Sequence, residues 1–564
     1  MGFIDVSGVT YALNDGHQLL DGATFRVGEG DKVALIGANG TGKTTLLRMI
    51  TGELKPDKGV INHSGGMGVM RQLIGMREGE QTLSQLALSL TSPRLEALGQ
   101  QFIDAEAALH RIEKRGKFSN QAEKAQLNYA QAMADWVESG GYDFDVRCDV
   151  VSVQLLHTPW EEAKTRPLNT LSGGEQKRFA LELLLQGPDE VLVLDEPDNF
   201  LDVPAKRDLE RRLQETDKSI LFVSHDREVL ANAATTIVTL EVGETWTHGG
   251  GFATWHQARV DRHERLEELR RRWDEEHHKL RELMLMYKNK AAYNSDMASR
   301  YRAAQTRLQK FEAAGPPPLP PREQNIKVKL QGGRTGKRAV ICEELELEDL
   351  TFPFDLELWY GDRLAVLGAN GTGKSHFLRL LARGGSNPEP GAQVVRQLPQ
   401  VAHEGTARLG ARVVPGHFSQ THEHPEFADK TLREILWVGD EYRPSLDQGK
   451  AMSALNRYEL TGQSEQKFGT LSGGQQARFM VLLLELAGAT CLLLDEPTDN
   501  LDLASAEALE VGLRSFEGTV IAVTHDRWFT RGFDRFVVFS GDGEVIETPE
   551  PVWEVEKVHS HRKS

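Results

Sequence analysis

The chain has 564 residues, 39% of them hydrophobic, and a formal net charge of −17. That length suits more than one domain, and there is no run of about 18 apolar residues, which excludes a membrane-spanning helix. No N-terminal signal segment is evident, and three cysteines without metal-like spacing favour a reducing, cytoplasmic location over secretion.

The first predicted element is a phosphate-binding loop. An apolar strand at residues 33–36 runs into GANGTGKTT and then a helix, the context in which G-x-x-x-x-G-K-[ST] is a specific signal. Lys43 is predicted to neutralise the β- and γ-phosphates of ATP, and the Thr44 hydroxyl suits Mg²⁺, which prefers oxygen ligands. The predicted contacts in this loop are Gly37, Asn39, Gly40, Gly42, Lys43, Thr44 and Thr45.

Two amphipathic helices are predicted next, within residues 92–140. They explain a longer spacing in the first half of the chain, because Lys43 and Ser172 lie further apart in the sequence than Lys374 and Ser472 do. The extra residues form either an enlarged helical subdomain or an arm that contacts a partner.

Three motifs complete the first half. LSGGEQKRF is predicted to begin a helix at residues 171–185. The free backbone N–H groups at a helix N-terminus bind anions. The anion expected here is the ATP bound by the other half of the chain. VLVLDEP is a buried strand that ends in Asp195, predicted to hold Mg²⁺, and Glu196, predicted to polarise the attacking water. His225 in SHD is predicted to sense the γ-phosphate, and Gln72 to contact metal and water.

A helical hairpin is predicted between the halves, because apolar residues recur there at a 3–4 spacing typical of a coiled coil. The first helix, roughly 255–287, would be on the order of 50 Å long. The tip is predicted at residues 288–296, and prolines at 316–321 end the second helix. The apolar positions are Leu266, Leu269, Trp273, Leu280, Leu283 and Tyr287, then Met297, Tyr301, Ala304, Leu308 and Phe311.

Positive charge is concentrated in this connector. Residues 277–338 contain 14 Lys or Arg and 4 Asp or Glu, so their local charge is +10 and the rest of the chain carries −27. Such asymmetry indicates a localised contact with a polyanion. A solvated tether between the halves is the simpler alternative.

The second half repeats these motifs in the same order and register. The offset from signature serine to glutamate is identical in the two halves, and so is the offset from that glutamate to the histidine. The chain is therefore predicted to bind two ATP molecules with Mg²⁺ and to open and close around them. The predicted residues are Gly368, Asn370, Gly371, Gly373, Lys374, Ser375 and His376 in the second loop, Gln420, Asp495, Glu496 and His525 around it, and Ser172, Gly173, Gly174, Ser472, Gly473 and Gly474 in the two signatures.

These elements predict an α/β fold, with two P-loop ATPase domains joined by an α-helical hairpin linker. The predicted boundaries are 1–250 for the first ATPase domain, 251–340 for the connector and 341–564 for the second ATPase domain.

The LSGG and DEP motifs with the interdomain hairpin resemble the ABC ATPase superfamily, and the fused pair without membrane segments resembles its ABC-F subgroup. The resemblance spans nearly the whole chain. It implies ATP hydrolysis in two composite sites of a head-to-tail sandwich within a monomer. One site would pair Lys43 with Ser472, and the other Lys374 with Ser172.

The resemblance also implies a partner. ABC-F proteins look like ribosome-binding translation factors whose hairpin reaches toward the large-subunit rRNA and the P-site tRNA. Lys and Arg side chains of the hairpin would meet RNA phosphates, with Tyr287 and Tyr293 able to stack on bases. The candidates here are Lys288, Lys290, Arg300, Arg302 and Arg307.

Some residues depart from the family pattern. The usual family motif DEPTNHLD is replaced by DEPDNFLD in the first half and by DEPTDNLD in the second. Asp198 and Phe200 are therefore expected to slow or re-time ATP hydrolysis at the first site. Tyr11 is a candidate to stack on adenine there, whereas the second half has no clear equivalent. The hypothesis that follows is unequal turnover at the two sites.

Four interpretations of function stay open. Within the ribosome-associated class, a housekeeping regulator of elongation and a factor that displaces antibiotics are not separated by the sequence. An ATPase that energises a separate membrane drug exporter is the main alternative, but it leaves the basic hairpin unexplained. A DNA-associated ATPase would share the positive patch, but no DNA-reading module is evident.

Overall fold

The computed structural model describes residues 2–13, 16–71, 81–113, 120–199, 201–291, 297–318, 326, 328–330, 333, 335–388, 394–395, 398–419, 426–439, 443, 445–499 and 501–553. Gln72, Phe200, Tyr293 and Gln420, which have roles predicted above, lie outside these residues. The chain divides into two compact units: one is Met1–Thr247 with Gln324–Ser564, and the other is His248–Glu323. The boundaries of the two ATPase domains within the larger unit stay a prediction.

The first half contains a six-stranded sheet and a three-stranded antiparallel sheet. Its strands are β1 (Phe3–Ala12), β2 (Gln18–Val27), β3 (Lys32–Ile36), β4 (Lys58–Ser64), β5 (Met67–Met70), β6 (Val191–Asp195), β7 (Ser219–Val223), β8 (Thr236–Glu241) and β9 (Glu244–His248). Its helices are α1 (Lys43–Ile50), α2 (Leu83–Ser89), α3 (Pro93–Glu113), α4 (Asn120–Glu138), α5 (Gly141–Leu156), α6 (Trp160–Ala163), α7 (Gly173–Gln186), α8 (Val203–Glu215) and α9 (Arg227–Ala233). The strand order is β5-β6-β7-β3-β8-β9 in the large sheet and β2-β1-β4 in the small one.

The second half repeats this arrangement. Its strands are β10 (Arg338–Leu347), β11 (Phe354–Trp359), β12 (Arg363–Gly368), β13 (His403–Leu409), β14 (Pro415–Phe418), β15 (Cys491–Asp495), β16 (Thr519–Val523), β17 (Arg535–Phe539) and β18 (Val545–Thr548). Its helices are α12 (Lys374–Ala382), α13 (Leu432–Val438), α14 (Gln448–Arg457), α15 (Gly473–Leu486) and α16 (Leu503–Ser515). The sheet orders are β14-β15-β16-β12-β17-β18 and β11-β10-β13.

The central strands place the predicted motifs at one sheet edge in each half. β3, β6 and β7 pair in parallel and are buried along their whole length, as their continuous apolar sequences predict. Because the chain leaves parallel strands at their carboxyl ends, the phosphate loop, the acidic pair and the histidine meet there. The predicted fold class, two α/β P-loop ATPase domains joined by a helical hairpin, is confirmed.

Helices α3 and α4 occupy the stretch that is longer in the first half. They pack through stacked rings, with the Phe102 centroid 5.7 Å from that of Tyr129 and 6.3 Å from that of Trp136. The contact explains why the amphipathic pattern forms a helix pair. A role for this pair as an arm that contacts a partner stays a prediction.

The unit His248–Glu323 contains the hairpin helices α10 (Gly251–Ala291) and α11 (Met297–Ala314). Helix α10 is longer than predicted, about 60 Å at 1.5 Å per residue. Lys288 and Lys290, which the predicted bounds place after the first helix, lie in its last turn, so the predicted end of that helix at residue 287 was wrong.

The two hairpin helices pack largely through the predicted apolar stripe. Leu280 and Leu308 are buried, and the rings of Trp273 and Phe311 stack at 5.2 Å. Leu269 was predicted in the stripe, but its side chain is 45% exposed. His277 contributes to the contact instead, because it stacks on Trp273 and lies 2.9 Å from Glu312.

Within the described parts of the chain, no helix combines the length and the apolar character needed to cross a bilayer.

Candidate functional site

The first phosphate loop has the backbone that a phosphate cradle requires. Gly40 and Gly42 have φ angles of 82° and 100°, a left-handed conformation that side chains with a Cβ rarely adopt. Helix α1 begins at Lys43, whose buried Nζ donates hydrogen bonds to the carbonyls of Gly37 (2.8 Å) and Ala38 (3.1 Å). Burial lowers the pKa of Lys43, although the negative charges of nearby carboxylates act in the opposite direction and raise it. An anionic ligand in the loop would favour the charged lysine.

Asp195 and Thr44 provide an oxygen pair beside this loop. The Thr44 hydroxyl bonds to the Asp195 carboxylate, which is 5% exposed and whose pKa burial raises. A hard cation such as Mg²⁺ fits this pair, since it is commonly held by one or two protein oxygens together with phosphate and water. No group of three or more His, Cys, Asp or Glu in the described regions suits a metal, so the nucleotide would supply the remaining ligands.

Glu196 lies next to Asp195 with a φ of 50°, and Glu496 has a φ of 47° in the second half. Left-handed backbone is unusual for a residue with a side chain such as glutamate, and it is found mostly at functional sites. At the first site, Asn199 Nδ2 donates a 2.6 Å hydrogen bond to Glu196 Oε2. His225 Nε2 is 3.9 Å from Glu196 Oε1. Burial, with the charge of Lys43, lowers the His225 pKa to about 3, so the ring is neutral at pH 7.

The second site has the same loop and a different set of partners for its glutamate. Lys374 Nζ donates to the carbonyls of Gly368 and Ala369 at 2.9 and 2.6 Å. Glu496 Oε2 accepts a 3.0 Å bond from the backbone N–H of His525, whose Nε2 lies 3.0 Å from Asn370 Oδ1. The predicted lysine, glutamate and histidine therefore lie together in both halves.

The two glutamates differ in one neighbour. The position of Asn199 in the first half is Asp499 in the second, and a carboxylate cannot donate the amide hydrogen bond. Burial, then the charges of Asp499 and Asp495, raise the pKa of Glu496 to about 8. Asp499, which departs from the family pattern in DEPTDNLD, thus lies beside Glu496, the catalytic candidate of the second site. The sequence-based expectation concerned the first site, which Asp198 and Phe200 were expected to slow or re-time.

Both signature serines cap their own helices. Ser172 Oγ accepts a 3.2 Å bond from the N–H of Glu175, and Ser472 Oγ accepts one of 3.4 Å from Gln475. Each motif is thus a capping box that leaves glycine N–H groups at the start of α7 or α15. The helices begin two residues later than predicted, because Leu171 and Leu471 are extended.

The halves contact each other at the first site through a residue that the motif analysis missed. Asp502 caps α16, and its Oδ2 accepts a 2.9 Å hydrogen bond from the backbone N–H of Asn39 in the first phosphate loop. The equivalent Asp202 caps α8, and its charge acts on Lys374. The Leu-Asp pair that follows each DEP motif is the sequence signal that could have identified these two aspartates.

Ion pairs also join the halves, and two of them are related by the same register as the repeated motifs. Arg227 lies 2.9 Å from Glu510, and Arg527 bonds to Glu210. All four side chains are buried or nearly so. Each arginine lies two residues after one of the histidines predicted to sense the γ-phosphate, His225 and His525.

The remaining predicted residues have simpler surroundings. Tyr11, on β1, is half-buried against the core of the small sheet. Phe352 is 60% exposed and follows Leu350, whose side chain lies against Gly373 of the second phosphate loop. It is a candidate adenine contact for the second site, and the sequence analysis did not find it. Thr45, Ser375 and His376 lie at the starts of α1 and α12.

The five predicted RNA-contacting residues are all exposed: Lys288, Lys290, Arg300, Arg302 and Arg307. Arg307 lies 3.6 Å from Glu276 on the other hairpin helix. The charged groups of all five side chains are therefore accessible to solvent and to a binding partner.

Comparison with protein families identifies two matching segments. The model described as "ABC transporter" matches residues 20–199 and 352–499, which contain the phosphate loop, the signature and the acidic pair of each half.

Two curated relatives match almost the whole chain. An "Antibiotic resistance protein" of Mycobacteroides abscessus is 56% identical over 559 residues, which cover 98% of this chain and 100% of the relative. The "Energy-dependent translational throttle protein EttA" of Mycobacterium tuberculosis is 28% identical, covering 93% of this chain and 89% of the relative. Among solved structures, "RNase-L Inhibitor" has a TM-score of 0.51 at 18% identity, covering 99% of this chain and 92% of that one. This last likeness concerns the fold alone.

Proposed function

The chain belongs to the ABC ATPase family, in its ABC-F subfamily, and from this premise we propose that it binds the ribosome when closed around ATP and acts on translation through its hairpin. The chain is an ATPase that converts ATP and water to ADP and phosphate. The exposed basic residues of the hairpin carry the ribosomal part of the proposal, because residues 277–323 contain nine Lys or Arg and four Asp or Glu, a local charge of +5 in a protein of net charge −17. A basic surface of this kind suits RNA phosphates.

We propose two composite ATP sites. The first combines Lys43, Asp195, Glu196 and His225 with the signature at Ser472, and Asp502 supports this assignment by linking the second half to the first loop. The second site would use the equivalent residues with Ser172. Gly173 and Gly174, like Gly473 and Gly474, would donate backbone N–H groups to the γ-phosphate of the opposite site.

In the proposed reaction, Glu196 orients the attacking water and accepts its proton, while Asn199 holds the carboxylate by its amide hydrogen bond. Neutral His225 places a ring nitrogen beside this carboxylate and the γ-phosphate position. When bound, Mg²⁺ would be held by Thr44 and Asp195 and would neutralise charge on the phosphates. Gln72 and Gln420, which lie outside the described residues, stay candidates for contact with metal and water.

We propose ribosome protection against antibiotics as the more specific role. The relative named an antibiotic resistance protein is 56% identical to this chain and the translational throttle protein 28%, and the second name concerns translation. The proposed location is the cytoplasm. A separate membrane exporter as partner would leave the basic hairpin unused.

The test is co-sedimentation of the Glu196→Gln/Glu496→Gln variant with 70S ribosomes, with and without ATP. Blocked hydrolysis should hold the protein closed, so we expect pelleting only with ATP. Adding Lys288→Gln and Lys290→Gln should weaken pelleting severalfold, and the matched pair Lys450→Gln and Lys467→Gln, on exposed lysines of the second half, should not.

Pelleting that is independent of ATP, or unaffected by the hairpin substitutions, would contradict the proposal. Association with membranes instead of ribosomes would favour the exporter interpretation. Growth with and without ribosome-targeting antibiotics, in cells with and without the gene, then separates the resistance role from elongation control.

A further inference from the structure

A short segment that follows the hairpin in the chain is attached to the core of the second half. Ile326, Val328 and Leu330 pack against that core, and Leu330 is 6% exposed. Lys329, between the last two, is exposed. We call these four residues the return segment. Its alternating burial indicates that one side of the segment is docked and the other faces solvent.

Glu485, near the end of α15, is the polar anchor of the return segment. Its Oε2 accepts a 3.0 Å hydrogen bond from the backbone N–H of Lys329, and further bonds from Arg457 Nη1 (2.9 Å) and the Tyr458 hydroxyl (2.8 Å). The Glu485 side chain is 10% exposed. A buried carboxylate with these donors is well paired, so the main chain of the return segment is held to a fixed point on α15.

Gly512, on α16, provides the second contact. A Cβ at this position would lie 2.4 Å from Val328 Cγ1 and 2.7 Å from Val328 Cβ, closer than such atoms approach in folded proteins. Glycine weakens the interior of a helix relative to alanine. The close approach of Val328 is a physical reason for glycine at this position.

The first half has different residues at the two contact positions. In the register that relates the signature serines, the glutamates and the histidines, Leu185 replaces Glu485 and Arg212 replaces Gly512. Arg212 Nε lies 2.7 Å from Glu182 Oε1, so this position of the first half is used for an ion pair within that half. The carboxylate and the open helix surface that hold the return segment are therefore features of the second half.

The two helices that hold the return segment lead to the first ATP site at their other ends. Helix α15 has 14 residues and begins with the second signature, after Ser472. Helix α16 has 13 residues and is capped by Asp502, which bonds to Asn39 of the first phosphate loop. Each helix is about 20 Å long. Glu485 and Gly512 lie toward the ends that are remote from these contacts.

We propose that the return segment braces α15 against α16 and thereby positions the second signature and Asp502 for ATP at the first site. Glu485 and Val328 are positioning residues, since both act through these helices. Closure around ATP and docking of the return segment then stabilise each other, because coupling between two such events is reciprocal. The hairpin is joined to the return segment by the chain, so it is linked to the first site by this brace.

The inference rests on the composite first site of the proposed function, but it requires no ribosome. The experiment measures amide hydrogen exchange of the return segment in the Glu196→Gln/Glu496→Gln protein, with and without ATP. We expect ATP to slow exchange at Lys329 severalfold, because its N–H bonds to Glu485 only in the docked segment. Gly512→Ala should remove this slowing, since the added methyl group displaces Val328.

Steady-state ATPase measurement with the native glutamates tests the positioning role. We expect Gly512→Ala to raise the KM for ATP about fivefold and to change kcat much less, because the substitution weakens closure and leaves the reacting groups in place. Alanine favours the helix more than glycine does, so a role limited to α16 itself would not raise KM.

The matched control is Gly449→Ala on α14, where a Cβ would meet Asp447 Oδ1 at an ordinary 3.5 Å. It should leave exchange and KM unchanged. Val328→Gly removes the same contact from the other side and serves also if Gly512→Ala does not fold. The effects of Val328→Gly and Gly512→Ala should not add, since each releases the same segment.

The inference is overturned if ATP leaves exchange of the return segment unchanged, if Gly512→Ala behaves as the control does, or if the two substitutions add. Small-angle X-ray scattering with and without ATP separates the possible failures. Compaction with ATP but without slower exchange overturns this inference alone, whereas a protein that does not compact contradicts the proposed closure and the inference together. Failure to pellet with ribosomes would contradict only the proposed function.

Discussion

Asp502 accepts a 2.9 Å hydrogen bond from the backbone N–H of Asn39, so the start of a helix in the second half is tied to the phosphate loop of the first. The same carboxylate accepts a 2.9 Å bond from the N–H of Ser505 and thereby caps that helix. One side chain thus links the conformation of a loop to the placement of the opposite half.

We expect Asp502→Ala to raise the KM for ATP and lower kcat, because both hydrogen bonds to a charged acceptor are lost. The combined decrease in kcat/KM should correspond to about 1–3 kcal/mol. Steady-state ATPase measurement checks this. Asp447→Ala is the matched control, since Asp447 caps α14 and, among the described residues, its hydrogen bonds stay within the second half. Equal effects of the two substitutions would show that helix capping alone explains the loss.

Single Glu→Gln substitutions should have unequal effects. Glu196 has the Asn199 amide as donor, whereas Glu496 has Asp499 at that position, so we expect the first site to turn over faster. Glu196→Gln should then remove most of the ATPase activity and Glu496→Gln a smaller share, as steady-state phosphate release would show. Equal losses would contradict a difference between the sites.

Acid should destabilise the protein through its buried histidines. The His225 pKa is lowered to about 3 and that of His525 well below 6.5, so the unfolded chain binds protons first as the pH falls. The stability they contribute is present above pH 6.5 and is lost as the pH falls toward 3, at up to about 1.4 kcal/mol per pH unit for each group.

Chemical unfolding at pH 7 and pH 5.5 measures this contribution. We expect His225→Asn to shrink the stability difference between the two pH values by about 1 kcal/mol. His278→Asn, at an exposed position of the hairpin, should leave the difference unchanged. An unchanged difference in His225→Asn would mean that other groups cause the acid sensitivity.

Aromatic truncation tests the adenine contacts. Tyr11→Ala and Phe352→Ala should each weaken nucleotide binding about tenfold at one site, because stacking on a base contributes about 1–3 kcal/mol. Titration with a fluorescent ATP analogue gives the two affinities. Trp437→Ala removes a similarly exposed ring from α13 and should change neither. If only Tyr11→Ala weakens nucleotide binding, Phe352 is not the adenine contact of the second site.

The sequence predicted the motifs well because their chemistry is local. A phosphate loop, a capping box and a buried strand each lie within about ten residues, so their residue types and spacing suffice to place Lys43, Ser172 and Asp195. The hairpin bounds were less accurate, because helix ends depend on caps and packing that the apolar spacing does not record.

Contacts between the halves could not be predicted in the same way. Arg227 and Glu510 are 283 residues apart, and neither has an unusual local context. Phe352 was missed because the shortened strand region has no motif around the ring. Such relationships depend on how two folded sheets meet, which pairwise sequence spacing does not encode.

The paired contacts of Arg227 with Glu510 and Arg527 with Glu210 have the form of an isologous dimer interface, in which each copy gives and receives the same contact. In a dimer of identical chains, every substitution appears twice, so one catalytic glutamate could not have Asn199 beside it while the other has Asp499. Fusion of the two copies into one chain removes that constraint. The chain can therefore keep a symmetric interface for assembly and let its two ATP sites diverge into separate steps of one cycle.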